Sequence, residues 1–199
     1  GIGLCRTEHM FFETERMPVV QRMILAKDDP AVVAECLATL LAHQREDFYG
    51  LFKAMDGLPV IVRLIDPPLH EFLPGHLEVA MEVEKLEESG ADPAALAERR
   101  HVLTAIERLQ ESNPMLGLRG VRLGIHMAAL TRMQVRAIFE AACLAASEGV
   151  DVHPEVMIPL AGHWRELEVQ QLALVEEAEK VMAEQRRRPS DKRGTRIAT

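Results

Sequence analysis

Three arginines are the residues of this chain whose placement could do chemistry, because each is next to a short apolar segment. Arg6 ends "GIGLCR", Arg63 ends "PVIVR", and Arg119 lies between two glycines in "LGLRGVR". A planar guanidinium meets a phosphate or a carboxylate in a fork of two charge-assisted bonds. Three of them on one face would suit a small molecule that carries both groups, which is our first hypothesis.

A purely structural role for these arginines stays open at this point. Lys and Arg are seldom fully buried unless they are paired. Three carboxylates lie near the arginines along the chain: Glu8, Asp66 and Glu71. Ion pairs with these groups would explain the arginines without any ligand, and the sequence supports both interpretations.

Apolar runs predict the strands that would position the arginines. β-branched and apolar residues bounded by turn signals are typical of buried parallel strands. We predict three such strands, Gly1 to Arg6, Pro59 to Asp66 and Val156 to Leu160. The stretch Asn113 to Ile125 is interpreted as a further strand with its loop, and "TRIAT" (Thr195 to Thr199) as strand-like.

Helical periodicity fills the intervals between the predicted strands. The predicted helices span Met17 to Ala26, about Val33 to Met55, His76 to Ser89, Pro93 to Gln110, Met133 to Ser147 and His163 to Gln185. Strands that alternate with helices indicate an α/β fold with a parallel sheet. Ligands bind such sheets at the carboxyl ends of the strands, where Arg6 and Arg63 are expected.

Composition limits the class of protein. With 199 residues and 48% hydrophobic residues, the chain can form one domain with a sizeable core. A net charge of -8 disfavours nucleic acid and anionic membrane surfaces as partners. No apolar run reaches the roughly 18 to 20 residues of a membrane span, and no signal peptide is visible.

The cysteines and histidines predict neither a disulfide framework nor a metal site. The three cysteines have no CxxC spacing, so we expect reduced thiols and a cytoplasmic protein. The histidines lack ligand spacing with cysteine or carboxylate, so no zinc site is predicted. No GxxxxGK[ST], GxGxxG or GxSxG motif occurs, which gives no support to nucleotide binding by those routes or to serine hydrolase chemistry.

Several long motifs resemble one known family. They are "GIGLCRTEHMF", "GLPVIVRLIDPPLHEFLP", "NPMLGLRGVRLGI", "QVRAIFEAA" and "PEVMIPL". Together they resemble the C-terminal barrel of the pyruvate, phosphate dikinase family, from Gly1 to about Glu184. The resemblance implies one partial TIM-type (β/α) barrel domain over 1–199, roughly strands 2 to 6, with an inserted helical pair at about 76–111.

The resemblance also implies a function. In that family the barrel binds phosphoenolpyruvate or pyruvate with Mg²⁺, and it exchanges a phosphoryl group with a phosphohistidine domain charged at an ATP-binding domain. The parent reaction interconverts ATP, pyruvate and phosphate with AMP, phosphoenolpyruvate and diphosphate. The family's substrate arginines match Arg6, Arg63 and Arg119, so these are the expected substrate-binding residues.

Departures from the family pattern predict that this chain is catalytically incomplete. Leu118 stands where the family usually has a histidine, and Ala198 stands where it has a metal-binding glutamate. A further metal-binding aspartate and a catalytic cysteine have no match. Because Mg²⁺ needs carboxylate oxygens, the resemblance leaves it without protein ligands here. We therefore expect no dikinase turnover by the isolated chain.

A second hypothesis comes from a different class of protein. The chain could be a truncated, inactive binding or dimerisation module, since an incomplete barrel leaves strand edges open to association. A homo-oligomer is expected.

Overall fold

The computed structural model describes residues 1–90, 92–110 and 113–186, and it confirms the α/β class. Three parallel strands form one sheet in the order β1-β2-β3. They are β1 (Ile2–Arg6), β2 (Pro59–Arg63) and β3 (His153–Met157). Thus the sheet order follows the chain order.

The register brings the carboxyl ends of the strands level with each other. Arg6 of β1 is the partner of Arg63 of β2, and Arg63 is in turn the partner of Met157 of β3. The central strand is the most enclosed, with Val60 and Val62 at 1% and 0% exposure. The two arginines therefore lie side by side at one edge of the sheet, as the apolar runs predicted.

Within the described ranges, seven α-helices accompany the sheet. They are α1 (Met17–Leu25), α2 (Pro30–Ala54), α3 (His76–Glu88), α4 (Pro93–Leu109), α5 (Gly120–His126), α6 (Ala128–Ser147) and α7 (Trp164–Arg186). Short 3-10 helices follow β1 at Thr7–Met10 and precede α3 at Leu69–Phe72. Asp29 caps α2 by accepting from the backbone N–H groups of Ala31 and Val32, which satisfies donors that a helix start leaves open.

The expected strand in Asn113 to Ile125 was wrong. Turns lead from Asn113 into α5, whose first residue Gly120 has a φ of +53°. The backbone N–H of Gly120 donates to the carbonyl of Asp66 at 3.0 Å, and that of Val121 donates to Pro159 at 2.9 Å. These bonds reach segments that follow β2 and β3, so they form no ladder with a neighbouring strand.

The third strand begins and ends three residues earlier than predicted. It pairs with β2 from His153 onward, opposite Pro59, so pairing extends it towards its amino end. It cannot continue far beyond Met157, because Pro159 has no N–H to donate and Leu160 has a φ of 63°. The described residues thus contain three strands, fewer than strands 2 to 6 would require.

Two apolar clusters form the core, one against the carboxyl-terminal half of α2 and the other against its amino-terminal half. One includes Phe48 and Phe52 of α2 with β2 and the buried face of α6. The other joins the α1 and α2 helices to Phe72 and to Val102 of α4. The two helices expected within about 76–111 are observed as α3 and α4, which pack against each other and against this second cluster. Their being an insertion into a barrel stays a prediction.

The barrel itself remains a prediction, as does the assignment of 1–199 to a single domain. The strand-like segment Thr195 to Thr199, with Ala198, lies outside the described residues. None of the helices within the described ranges is both long and apolar enough to cross a membrane.

Candidate functional site

Arg63 is the centre of an ionic cluster at the carboxyl end of β2. Its side chain is only 16% exposed and forms ion pairs with Glu8 and with Asp66, the latter at 3.2 Å. Glu8 lies in the 3-10 helix that follows β1, and Asp66 follows β2 by three residues. The ends of both strands therefore hold one guanidinium from two sides.

Asp66 also binds Arg119, which occupies the N-cap position of α5 without a capping hydrogen bond from its side chain. The distance from Arg119 Nη2 to Asp66 Oδ2 is 2.7 Å, and the Arg119 side chain is 14% exposed. The backbone carbonyl of the same aspartate accepts from the N–H of Gly120. Asp66 thus ties the start of α5 to the end of β2 through both its side chain and its backbone.

Only glycine fits at the junction between these segments. A Cβ atom on Gly120 would lie 2.8 Å from Leu160 Cβ, 2.9 Å from the carbonyl of Pro159 and 3.2 Å from Asp66 Oδ1. The positive φ at this position favours glycine as well. Close backbone approach at Gly120 therefore brings Arg119 within reach of Asp66.

Arg6 differs from the other two arginines. Its residue is exposed, and within the described ranges its side chain has no hydrogen bond or ion pair. It is nevertheless the register partner of Arg63. The structure thus brings Arg63 and Arg119 together on one carboxylate and places Arg6 beside them with its guanidinium open to solvent.

Both interpretations of the arginines have support in the geometry. Glu8 and Asp66 form the ion pairs that a purely structural role of the arginines requires. Glu71 is exposed and joins no ion pair among the described residues. Yet the buried Nε atoms of Arg63 and Arg119 have no partner in the described part of the chain. Arg63 and Arg119 pair with the two carboxylates, and Arg6 at the end of β1 adds a positive charge, unpaired within the described ranges, that an anion could neutralise.

The described residues of this cluster do not fit a Mg²⁺ ion. Glu8 Oε2 and Asp66 Oδ1 are buried without a partner among the described residues, but each carboxylate already pairs with a guanidinium. No group of three or more histidine, cysteine or acidic side chains within the described ranges could hold a metal. An octahedral cation beside two fixed arginines would meet repulsion and too few oxygens.

Sequence reasoning missed two buried polar residues below the arginines. Thr7 and Gln134 are both 0% exposed. The Thr7 hydroxyl donates to the carbonyl of Arg63 at 2.9 Å and accepts from Gln134 Nε2 at 3.0 Å, while the N–H of Ile65 donates to Gln134 Oε1 at 2.9 Å. The sequence feature that could have indicated these buried hydrogen bonds is a glutamine within the apolar pattern of α6.

The thiol of Cys5 lies close enough to Glu8 for the carboxylate to affect its pKa. Cys5 precedes Arg6 in β1, and burial raises the pKa of its thiol, with a further rise from the negative charge of Glu8. The thiol therefore stays protonated and unreactive near neutral pH, which gives it no nucleophilic role at this site.

An apolar groove lies at the far edge of the sheet. It has a volume of about 490 Å³. Its lining comes from β3, the residue after β3, α7 and Phe139 of α6, and it includes Val156, Ile158, Leu167 and Met182. It is separate from the arginine cluster, since none of the three arginines lines it. Its lining is mostly apolar and includes no arginine, lysine or histidine.

Comparison with known proteins assigns the chain to a family. The chain matches the family described as "PEP-utilising enzyme, PEP-binding domain" over residues 1–197, and it belongs to that family.

Three similar proteins are named as pyruvate, phosphate dikinases. The chain is 51% identical over 198 residues to "Pyruvate, phosphate dikinase 1, chloroplastic" of Arabidopsis thaliana, which covers 99% of the chain and 20% of that relative. It is 52% identical over 186 residues to "Pyruvate, phosphate dikinase 2" of Oryza sativa subsp. japonica, covering 92% and 20%. For "Pyruvate, phosphate dikinase" of Giardia intestinalis the values are 51% over 169 residues, 85% and 18%.

These comparisons confirm the resemblance of the motifs. They also show that the chain spans about a fifth of the length of the curated relatives it matches. The chloroplastic form among them leaves the expected cytoplasmic location a prediction.

Proposed function

We propose that this chain supplies the arginine side of a phosphoenolpyruvate or pyruvate site in a pyruvate, phosphate dikinase. The observation that carries the proposal is the level register of Arg6 and Arg63 at the carboxyl ends of β1 and β2, with Arg119 held beside them by Asp66. The relatives' names support the substrate class. The phosphohistidine and ATP-binding domains of the parent reaction would belong to the rest of a full-length enzyme.

The chemistry of phosphoenolpyruvate fits fixed cations at this position. Negative charge is spread over the phosphoryl oxygens, and it grows on the enol oxygen as its bond to phosphorus breaks. Preorganised positive groups stabilise such charge with little rearrangement. Arg6 and Arg63 would face the phosphoryl group, and Arg119 would complete the cationic face.

The ion pairs around Arg63 support this role. A guanidinium held by Glu8 and Asp66 loses little conformational freedom when an anion binds, since its position is set beforehand. Its Nε remains without a partner in the described part of the chain. Structural pairing and substrate binding are therefore compatible at this residue.

Calorimetric titration with phosphoenolpyruvate tests the proposal. Arg6→Ala is the most informative variant, because among the described residues the Arg6 side chain has no ionic partner that its removal would disturb. We expect saturable binding to the unaltered chain and a loss of about tenfold or more in Arg6→Ala, the effect of one charged contact. Arg63→Ala should bind no better than Arg6→Ala.

Arg22→Ala is the matched control for these variants. Arg22 is an exposed arginine of α1 that pairs with Glu35, away from the cluster. It should bind phosphoenolpyruvate as the unaltered chain does. Equal binding by Arg6→Ala and the unaltered chain, or no binding by any of them, would overturn the proposal.

Self-association is a second candidate function, favoured by the apolar groove beside β3. The occupant would be a second copy of the chain, because β3 is an edge of the described sheet and Leu167 of α7 is 42% exposed at the groove. Light scattering tests this candidate function. Leu167→Glu should lower the measured molecular mass of the particle in solution relative to the unaltered chain. Leu77→Glu, at a 73% exposed position on α3, should not. A monomer at all concentrations would reject it.

A further inference from the structure

We infer that Gln134 and Thr7 act as positioning residues for the arginine site, by fixing the backbone that carries Arg63. The inference rests on the proposed function, and it deepens it by assigning residues that touch no ligand. Gln134 lies on α6, whereas Thr7 follows β1 and Arg63 ends β2. A single buried amide therefore joins three separate elements.

The direction of each hydrogen bond follows from the groups involved. The backbone N–H of Ile65 can only donate, so the oxygen of the Gln134 amide faces it. The amide nitrogen then donates to the Thr7 hydroxyl, which leaves the hydroxyl hydrogen for the carbonyl of Arg63. The chain of donors runs in one direction, from Gln134 through Thr7 to the backbone of β2.

Because both side chains are buried, each of these hydrogen bonds has to be made within the protein. Thr7 and Gln134 are both 0% exposed, so water does not replace a missing partner. Breaking one bond leaves buried polar groups without partners, and the local backbone must shift to recover them.

The bonds act where a shift would matter for the arginines. Thr7 lies directly between Arg6 and Glu8, and Ile65 lies directly before Asp66. The carbonyl that Thr7 contacts belongs to Arg63 itself. The two arginines that end β1 and β2, and the two carboxylates that follow these strands, are thus each within one residue of a group that makes one of these hydrogen bonds.

Thr7→Val and Thr7→Ser separate the hydroxyl from the shape of the side chain. Valine keeps the volume and removes the hydroxyl, whereas serine keeps the hydroxyl and removes the methyl group. We expect Thr7→Val to bind phosphoenolpyruvate about tenfold more weakly, the effect that one hydrogen bond corresponds to. Thr7→Ser should recover most of the affinity.

Thr131→Val controls for a purely structural effect. Thr131 is also buried, at 3% exposure, and its hydroxyl bonds to Gln170 of α7 outside the cluster. This variant should be destabilised without losing affinity.

A spectroscopic measurement tests the inference without any ligand. The Nε–H resonance of Arg63 can be identified by its disappearance in Arg63→Lys. We expect this resonance to shift in Thr7→Val and to return in Thr7→Ser, with Thr131→Val like the unaltered chain. An unchanged resonance in folded Thr7→Val would overturn the inference, even if no variant binds phosphoenolpyruvate.

The outcomes distinguish this inference from the proposed function. If Arg6→Ala loses affinity and Thr7→Val does not, the arginine site stands and the positioning role falls. If neither the unaltered chain nor any variant binds, the proposed function falls, and the Arg63 resonance decides the positioning role.

Discussion

Arg63 and Arg119 contact the same oxygen atom, Oδ2 of Asp66, at 3.2 and 2.7 Å. The two arginines are 56 positions apart in a chain of 199 residues, and they reach this oxygen from the end of β2 and the start of α5. Two guanidinium groups that share one oxygen atom lie close together, and they would repel each other without that carboxylate. Asp66 is therefore the group that makes a dense cluster of cations stable in a mostly buried position.

The first prediction is that Asp66→Asn destabilises the fold. The amide keeps the shape but removes the charge, so two cations at 14 to 16% exposure lose their shared partner. We expect a loss of about 1.5 to 3 kcal/mol in the free energy of unfolding, measured with urea. Glu71→Gln is the control, because Glu71 is exposed and joins no ion pair among the described residues. Equal midpoints would contradict the prediction.

The second prediction compares alanine at two glycines with positive φ. Gly57 has a φ of +70° and nothing within 4 Å of an added Cβ, so Gly57→Ala should cost only the backbone strain, about 1 to 2 kcal/mol. Gly120→Ala adds crowding against Leu160 and Pro159, and should cost about 1 to 3 kcal/mol more. Thermal and urea unfolding measure both. A smaller cost at Gly120 would show that the junction can relax.

The third prediction concerns the pH dependence of Cys5 labelling. Burial, and then the charge of Glu8, raise the pKa of this thiol above its ordinary value of 9.0. Since the thiolate is the reactive form, the raised pKa lowers its fraction at pH 8 and slows alkylation. Glu8→Gln removes one cause, so the pKa should fall and the labelling curve should move to lower pH. Peptide mass spectrometry measures the rate at each cysteine.

Cys36 is the internal control for that experiment. The pKa of its thiol is also raised, chiefly by burial, with opposing effects from Arg22 and Glu35. Its labelling should not respond to Glu8→Gln. A parallel change at both cysteines would indicate general loosening of the fold.

The fourth prediction is that Arg136 holds α6 and α7 together. Its side chain is 21% exposed and pairs with Glu140, Glu177 and Glu184, of which Glu177 is 6% exposed. Arg136→Met should cost about 1.5 to 3 kcal/mol, because it leaves a buried carboxylate poorly paired. Arg22→Met, which breaks an exposed pair, should leave the urea midpoint nearly unchanged. Similar midpoints for both variants would contradict this.

The elements with clear periodicity could be predicted from the sequence. The strand β1, the amino end of β2, the helical pair after "DPPLHEFLP" and the long helix α2 were predicted close to their observed bounds. The strand β2 ends at Arg63, three residues before its predicted end at Asp66. Apolar alternation and proline or glycine boundaries are local signals, and they depend little on distant contacts. The prediction of a strand within Asn113 to Ile125 was wrong, because the three glycines of this segment fit a strand with a loop and a turn before a helix equally well.

The sequence by itself determined that apolar strands would bring Arg6 and Arg63 to the same edge of a parallel sheet. Only the tertiary structure decided what these arginines meet. Arg119 reaches Asp66 across 53 positions, and Gln134 reaches Thr7 across 127. Which distant polar groups find each other depends on how α5 and α6 pack against the strand ends, and local patterns of residue type contain no information on that packing.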